Sequence, residues 1–456
     1  MGDSVVDGII GAITKHWLEF LVIIVIGLAY YFGFIKDLLA LLAVIYLGRI
    51  AFKVWVHYVQ QDFISGIEFV VLEVIPPRDV LRSPKAMELF ITNALYHYSN
   101  KGGREEFWQG AVWFWFSLEI VSIEGQVHFY IRTPSRIKSL IETQMYAQYP
   151  QSQIREVEDY TLAVDAINEK SAWNAWGCEF ALKKPEALPI KTYVDFGLDK
   201  DPKEEYKVDP ISPIVEFFGS LQKGEQAWLQ IVITPSKKKY KTKGTWFGTH
   251  NWATQSKIEI ENLFTPYTRF HERPDGTFAK EVRIPDYFKN LVTAMSAKTG
   301  KLGFDTGIRL MYVAKKEHFN ISNRRNIRLI LRQFNRPDCN EFKRVNSTQV
   351  DAFGSQFFGL SQKQVMLLAD RMLHEYRERG FFHLPLRHHL INNHNLKGIT
   401  MFIVKQFFLP YFHPPTYVLN TEEIATLWHF PGQILKVPTL ERIESKEASP
   451  PTNLPI

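Results

Sequence analysis

Arg324, Arg328, Arg332 and Arg336 recur at every fourth position of "NRRNIRLILRQFNR". On a continuous helix that spacing makes one cationic ridge, with Ile327, Ile330, Leu331 and Phe334 as the buried stripe. Like charges four residues apart repel unless acidic groups or phosphates neutralise them. The ridge therefore reads either as a salt-bridged, solvated face or as a contact surface for DNA or an acidic partner. A second basic stretch, "KKKYKTKGTWF", sets Lys237, Lys238, Lys239, Lys241 and Lys243 beside Tyr240, Trp246 and Phe247. Lysines can follow phosphates while aromatic rings stack on bases. The same composition also makes an ordinary solvated loop.

Signals of catalysis are missing. "SAKTGKLGFDTG" lacks the spacing of a phosphate-cradling loop, because Lys301 is followed by Leu302. There is no G-x-S-x-G, no H-E-x-x-H and no paired C-x-x-C. His383, His388, His389, His394, His413 and His429 gather late in the chain, but their intervals match no zinc signature. They read as packing and surface histidines. The expectation is a chain with no catalytic residue, no cofactor and no metal. Two cysteines, Cys178 and Cys339, exclude a disulfide framework and suit a reducing compartment. The balance of 54 Lys and Arg against 48 Asp and Glu is too mild to announce nucleic-acid binding by itself.

The elements that would carry these groups alternate between strand and helix. "IEFVVLEVIP", "SPKAMELFITNALYHY", the strand pair in "VWFWFSLEIVSIEGQVHFYIRTP", "RIKSLIETQMYAQYP" and "QIREVEDY" follow the order β-α-β-β-α-β. That is the split βαβ, ferredoxin-like arrangement, placed at residues 61–165. A second αβ unit at 166–345 runs through "NAWGCEFALKK", "DPISPIVEFFGSLQKGEQ" and "AWLQIVITP". An insertion at about 236–284 with a turn at "RPDGT" interrupts it before "DYFKNLVTAMSAKTGK", "FDTGIRLMYVAKK" and the arginine helix. Residues 346–456 form a mixed C-terminal segment whose best helix is "SQKQVMLLADRMLHEYRERG", with the mixed run "GITMFIVKQFFLPYFHPPT" after it and a Pro-rich tail. The fold class is α+β.

Residues 1–60 are of another kind. "FLVIIVIGLAYYFGFI" from Phe20 carries no charge, and a second apolar run starts at Leu38, with Lys36 and Asp37 as the turn between them. Each run can span hydrocarbon if Glu19, Arg49 and Lys53 lie near the interfaces. The expectation is a two-helix transmembrane hairpin. Lys15, Arg49, Lys53, Arg78 and Arg82 outweigh Lys36 alone, which puts both termini and the bulk of the chain in the cytoplasm. A cleaved signal peptide fits poorly, because "MGDSVVDG" starts acidic.

The most punctuated stretch is "YVLNTEEIATLWHFPG". Asn420 can cap a helix that begins at Thr421, with Glu423 completing a capping box and Glu422 favoured at the positive end. Ile424, Leu427 and Trp428 share a face, and Pro431 with Gly432 stops the helix. This looks like a docking helix, Asn420 to Gly432.

Together with "VLEVIPPRDVLRSPKAMELF" after the apolar runs and "RIESKEASPPTNLP" near the end, the motif resembles the membrane-anchored, pre-ATPase region of type IV secretion or conjugation-like ATPases of the FtsK/HerA class. The resemblance implies a bacterial inner-membrane protein, a homo-oligomer, partnered by a separately encoded FtsK/HerA-like ATPase. DNA is the further candidate partner. In that family a Walker loop follows the "NLP" segment, and this sequence stops at Ile456, so hydrolysis is not carried over. The reading is a non-catalytic anchor and scaffold for a translocating motor. The alternatives are a membrane-associated DNA-binding module without a motor, or the N-terminal part of the ATPase itself.

Overall fold

The computed structural model describes residues 17–31, 33, 35–77, 82–96, 101–200, 208–242, 244–245, 248–264, 268–272, 278–282, 285–349, 361–384 and 414–432. Lys243, Trp246, Phe247, Arg78, the "RPDGT" turn, "GITMFIVKQFFLPYFH", the late histidines at 388, 389, 394 and 413, and the Pro-rich tail lie outside these residues. The described residues divide into two units, those within Met1–Ile64 and Lys101–Ala111, and those within Ser65–Asn100 and Val112–Ile456.

In the first unit, α1 (Trp17–Tyr31) and α2 (Ile35–Ser65) are joined through Gly33. Gly33 takes a positive φ of 73°, which a residue without Cβ adopts at little cost. The break therefore precedes Lys36 and Asp37, which open α2 instead of forming the turn between helices. Within α2, Asp37–Ser65 is long and apolar enough to cross a membrane, and none of its most apolar window is buried. The 15 described residues of α1 are fewer than the roughly 20 a span needs. A two-helix transmembrane hairpin is therefore supported at one helix. The helix also runs past residue 60, the boundary drawn from sequence. A short helix, α4 (Gly103–Phe107), completes this unit.

The second unit is built on one antiparallel sheet. Its strands are β1 (Phe69–Ile75), β2 (Phe116–Ile123), β3 (Gln126–Pro134), β4 (Gln153–Val157), β5 (Trp173–Leu182), β6 (Glu225–Pro235), β11 (Gly303–Lys315), β12 (Phe342–Val345) and β13 (Tyr417–Asn420). The order is β12-β5-β11-β6-β2-β3-β1-β4. Strands β4-β1-β3-β2 take the order of a split βαβ unit, and β12-β5-β11-β6 repeat it. Both halves meet where β2 pairs with β6, from Phe116↔Ile233 to Ile123↔Gln226. The late strand β13 pairs with β11 from Gly303↔Asn420 to Thr306↔Tyr417, along the part of β11 that β5 leaves open.

The excursion between β6 and β11 carries two small hairpins and two helices. The hairpins are β7 (Lys239–Lys241) with β8 (Thr249–Asn251), and β9 (Thr268–Glu272) with β10 (Phe278–Val282). The helices are α7 (Trp252–Phe264) and α8 (Asp286–Thr299).

One face of the sheet is covered by α3 (Lys85–Phe90, continued by a π turn Ile91–Leu95), α5 (Lys138–Gln148), α6 (Ser212–Gly219), α9 (Ile321–Ile327) and α11 (Thr421–Leu427). The other face is covered by α10 (Gln362–Glu378), which buries Leu368, Met372, Leu373 and Tyr376 against Trp228, Met311 and Val313. Ser361 caps α10 in a box with Gln364. Gly177 opens space for Met372, whose Cγ would lie 2.9 Å from a Cβ there. Residues 346–456 thus contribute α10, β13 and α11 to the same body.

Candidate functional site

Beside the lysine stretch, candidate positions fall in four places within the second unit. The first is the capped helix. Asn420 accepts from the Glu423 amide at 2.8 Å, and Glu423 accepts from the Asn420 amide at 2.9 Å. The capping box read from sequence is present. The free docking face is not: Ile424, Leu427 and Trp428 are fully buried, as are Thr421 and Glu423. Trp428 donates its indole N–H to the Glu119 carbonyl at 3.2 Å, and its ring packs on Phe129 and Phe430. The helix docks, but onto its own sheet.

The end of the motif has a specific reason. Asp209 accepts from the Ile211 amide at 3.0 Å, the Gly432 amide at 3.1 Å and His429 Nε2 at 3.0 Å. The other ring nitrogen of His429 lies 2.9 Å from the Ala425 carbonyl. Burial pushes the Asp209 carboxyl up, but His429 and the two amides outweigh it and hold it below the usual range. "HFPG" is a clamp on one half-buried carboxylate.

The second place is a cleft of about 390 Å³. It brings together Arg336, Asn420 and Glu422 with Asp195, Asp338 and Lys298. Arg336 bridges Asp195 at 3.1 Å and Asp338 at 3.1 Å. Lys298, almost fully buried, pairs with Glu423 at 3.0 Å, and Glu423 also accepts from the Ile190 amide at 3.0 Å. Lys301 bridges Glu422 and Glu88, each at 2.7 Å. The cleft has the size of a small-ligand site, but its charges are paired with one another.

The third place is the arginine stretch, and here the ridge is corrected. Helix α9 ends at Ile327, Arg328 is its C-cap, and a tighter 3-10 turn follows at Arg332–Phe334. The shorter turns still bury Ile327, Ile330, Leu331 and Phe334, because residues three apart align on a tighter helix. The arginines therefore do not form one line, and Arg336 turns into the cleft. Arg324 and Arg328 instead gather with Arg325 and with Arg344 of β12. Burial and then the neighbouring guanidiniums hold Arg328 below its usual range, and Arg324 is lowered by burial and by Arg325. Arg332 is exposed. Arg325 and Arg344 make no ion pair among the described residues.

In the lysine stretch, Lys237 lies 3.3 Å from the centre of the Trp113 ring, and Lys238 pairs with Glu186 at 2.7 Å. Lys239 and Lys241 are exposed on β7. Two of the lysines are thus spent on internal contacts.

The fourth place was not read from sequence. One register line crosses eight of the sheet's nine strands: Arg155, Glu73, Tyr130, Glu119, Gln230, Arg309, Glu179 and Val345. At its centre Glu119 accepts from Ser117 (2.5 Å), Tyr160 (2.8 Å), Gln230 (3.1 Å) and Arg379 (3.0 Å). Arg309 binds Glu179 at 2.6 Å and the Glu375 carbonyl at 2.8 Å, under the Phe381 ring. Arg379 also pairs with Asp159. Burial, then the Glu119 charge, raises the Tyr160 and Tyr376 hydroxyls well above their ordinary value. Glu119, Arg309, Glu179 and Arg379 are sealed from solvent, so the network holds the seam between the halves instead of meeting a substrate. The sequence does carry its signal. "SLEIV", "WLQIV", "GIRLM" and "GCEFA" each place one polar residue inside an apolar strand, and a buried polar group needs partners.

Among the described residues, no group of three or more His, Cys, Asp or Glu side chains could hold a metal ion. Residues 70–374, from β1 into α10, match the model of a family described as "Domain of unknown function (DUF8128)". No curated protein matches the chain.

Proposed function

The chain belongs to the DUF8128 family, whose match spans well over half of it, and we propose that it is a membrane-tethered, non-catalytic scaffold for a translocating ATPase of the FtsK/HerA class. The observation that carries the tether is α2, an exposed apolar helix of membrane length. In this reading α1 and α2 both enter the bilayer, the sheet body lies in the cytoplasm, and copies of the chain assemble to match the symmetry of the motor. The body suits a scaffold because buried charges such as Glu119, Arg309, Glu179 and Arg379 hold its two halves in one sheet. The motor partner rests on the resemblance of "VLEVIPPRDVLRSPKAMELF" and "LNTEEIATLWHFPG" alone.

The test is reconstitution of the full chain in lipid nanodiscs. ATP turnover is measured for the chain alone, for an FtsK/HerA-class ATPase alone and for the mixture, with sedimentation to read assembly. The expected result is no turnover by the chain and a heavier, more active ATPase in its presence. Turnover by the chain alone, or an ATPase whose assembly it leaves unchanged, overturns the proposal.

A second reading, a membrane-associated DNA-binding module, is favoured by one observation. Arg324, Arg325, Arg328 and Arg344 gather at one place, and after burial the charges of its three neighbours lower the affinity of Arg328 for its proton. Phosphates would relieve that repulsion.

A further inference from the structure

The connection between α3 and β2 does not stay with the sheet. Its residues Lys101–Ala111 belong to the same compact unit as α2. The fit is built in. Gly110 has a positive φ of 65°, and a Cβ at that position would stand 2.0 Å from the Val59 carbonyl oxygen. Trp55 donates its indole N–H to the Phe107 carbonyl at 3.2 Å. The Trp108 ring meets Trp55 edge-on at 6.0 Å, Phe107 lies 5.7 Å from Phe52, and Lys101 sits 5.7 Å over Phe63. Phe52, Trp55, Val59 and Phe63 fall three and four residues apart, on one face of α2.

This packing leaves large rings in solvent. Trp108 is 68% exposed, Tyr58 63% and Trp55 42%. Tryptophan and tyrosine prefer the headgroup level of a bilayer, where one end of the ring is apolar and the other wet. The exposed rings continue the exposed apolar surface of α2, and they stand at the right height. From Asp37 to Trp55 a helix rises roughly 27 Å at about 1.5 Å per residue, close to the ~30 Å of a hydrocarbon core. Lys53, next to Trp55, can snorkel to the same level.

The geometry points to Lys101–Ala111 as an interfacial strap: Phe107 and Trp108, with Trp55 and Tyr58, lie in the headgroup layer of the bilayer that α2 crosses. The occupant of this aromatic surface is phospholipid. The inference rests on the tether reading above and adds to it where the membrane surface falls.

The test uses the full chain reconstituted into phosphatidylcholine–phosphatidylglycerol vesicles. Cys178 and Cys339 are buried, so a single introduced cysteine takes an NBD label selectively. Gln109→Cys labels the exposed tip of the strap. Flotation of the vesicles reads the tether independently. The expected result is that the labelled chain floats, that shallow doxyl lipids quench NBD at 109 several-fold, and that they quench it more than deep ones. Gly110→Val, which the Val59 carbonyl excludes, should weaken the quenching at 109 while flotation persists. A chain that floats while shallow doxyl lipids leave NBD at 109 unquenched, or deep ones quench it as well, overturns the strap and leaves the tether standing. Shielding of NBD at 109 by a second copy, read as loss of shielding on dilution into excess lipid, overturns the strap equally. A chain that fails to float overturns the tether itself.

Discussion

Replacing Glu423 by Gln is the sharpest probe of the capped helix, because one carboxylate serves three partners. It caps α11 through the Asn420 amide, accepts from the Ile190 amide, and neutralises Lys298 at 3.0 Å with both side chains at most 1% exposed. Gln keeps a carbonyl oxygen for one amide but leaves the ammonium buried without its countercharge. Breaking such a pair costs about 3–5 kcal/mol, which is roughly two to three and a half decades in an opening equilibrium at ~1.4 kcal/mol per decade. Hydrogen exchange followed by mass spectrometry on the peptide covering residues 417–432 reads that equilibrium locally. Protection there should fall by at least two decades. Lys298→Met should fall by less, since it leaves a carboxylate still held by two amides. The double variant should fall by clearly less than the sum, because neither charge is then stranded. Asn420→Ala, which removes only the cap, should cost about 1 kcal/mol. If Glu423→Gln leaves protection within threefold of the parent, or if the two single effects add, the buried pair does not hold this helix.

Three further outcomes follow from the geometry. The Asp209 carboxyl is held below its ordinary value, so the stability it contributes is full above the unfolded carboxylate pKa of about 4 and is lost as pH falls through its lowered folded value; urea midpoints measured from pH 7 to pH 3 should fall steeply at the acid end, and Asp209→Asn should flatten that fall. Both thiols are buried, and burial pushes Cys339 up to about 11 and Cys178 higher, so Ellman's reagent should find no fast thiol in the native chain and two after unfolding. Gly307→Ala sets a Cβ 2.0 Å from the Phe381 ring that covers Arg309; overpacking of this kind costs about 1–3 kcal/mol, and an unchanged denaturation midpoint would contradict the placement of Phe381.

Much of the architecture was legible because long strands announce themselves. "FVVLEVI", "FSLEIVSI" and "EQAWLQIVITP" are apolar runs bounded by turns, and a β-α-β-β-α-β order admits few sheet topologies. Strands β12 and β13 were not legible, since "FKRV" and "YVLN" have four residues each and no alternation that separates them from loop. The arginine ridge shows a different limit. Spacing of four describes a face only while the helix lasts, and α9 stops after seven residues, with tertiary packing of Ile330, Leu331 and Phe334 favouring tighter turns. The "LNTEE" motif shows a third. Capping chemistry is local and was read correctly from Asn420 and Glu423, whereas what the helix packs against depends on Glu119, Ile190 and Lys298, far away in sequence. The polar row across the sheet was written in plain view, one residue per strand, but only register reveals that those residues are neighbours.

The pairing of β13 with β11 also has a consequence in time. At ~5–20 residues per second, the ribosome delivers Asn420 on the order of ten seconds after Gly303, its partner in the ladder. Throughout that interval the amino end of β11 has an open edge opposite β6, and Trp428 is not yet available to close the core over Phe129. The apolar helix that begins at Ile35 has emerged long before. On the tether reading proposed above, the nascent chain meets the bilayer while its sheet is still incomplete, and the last strand acts as the latch that ends its exposure to wrong edge partners.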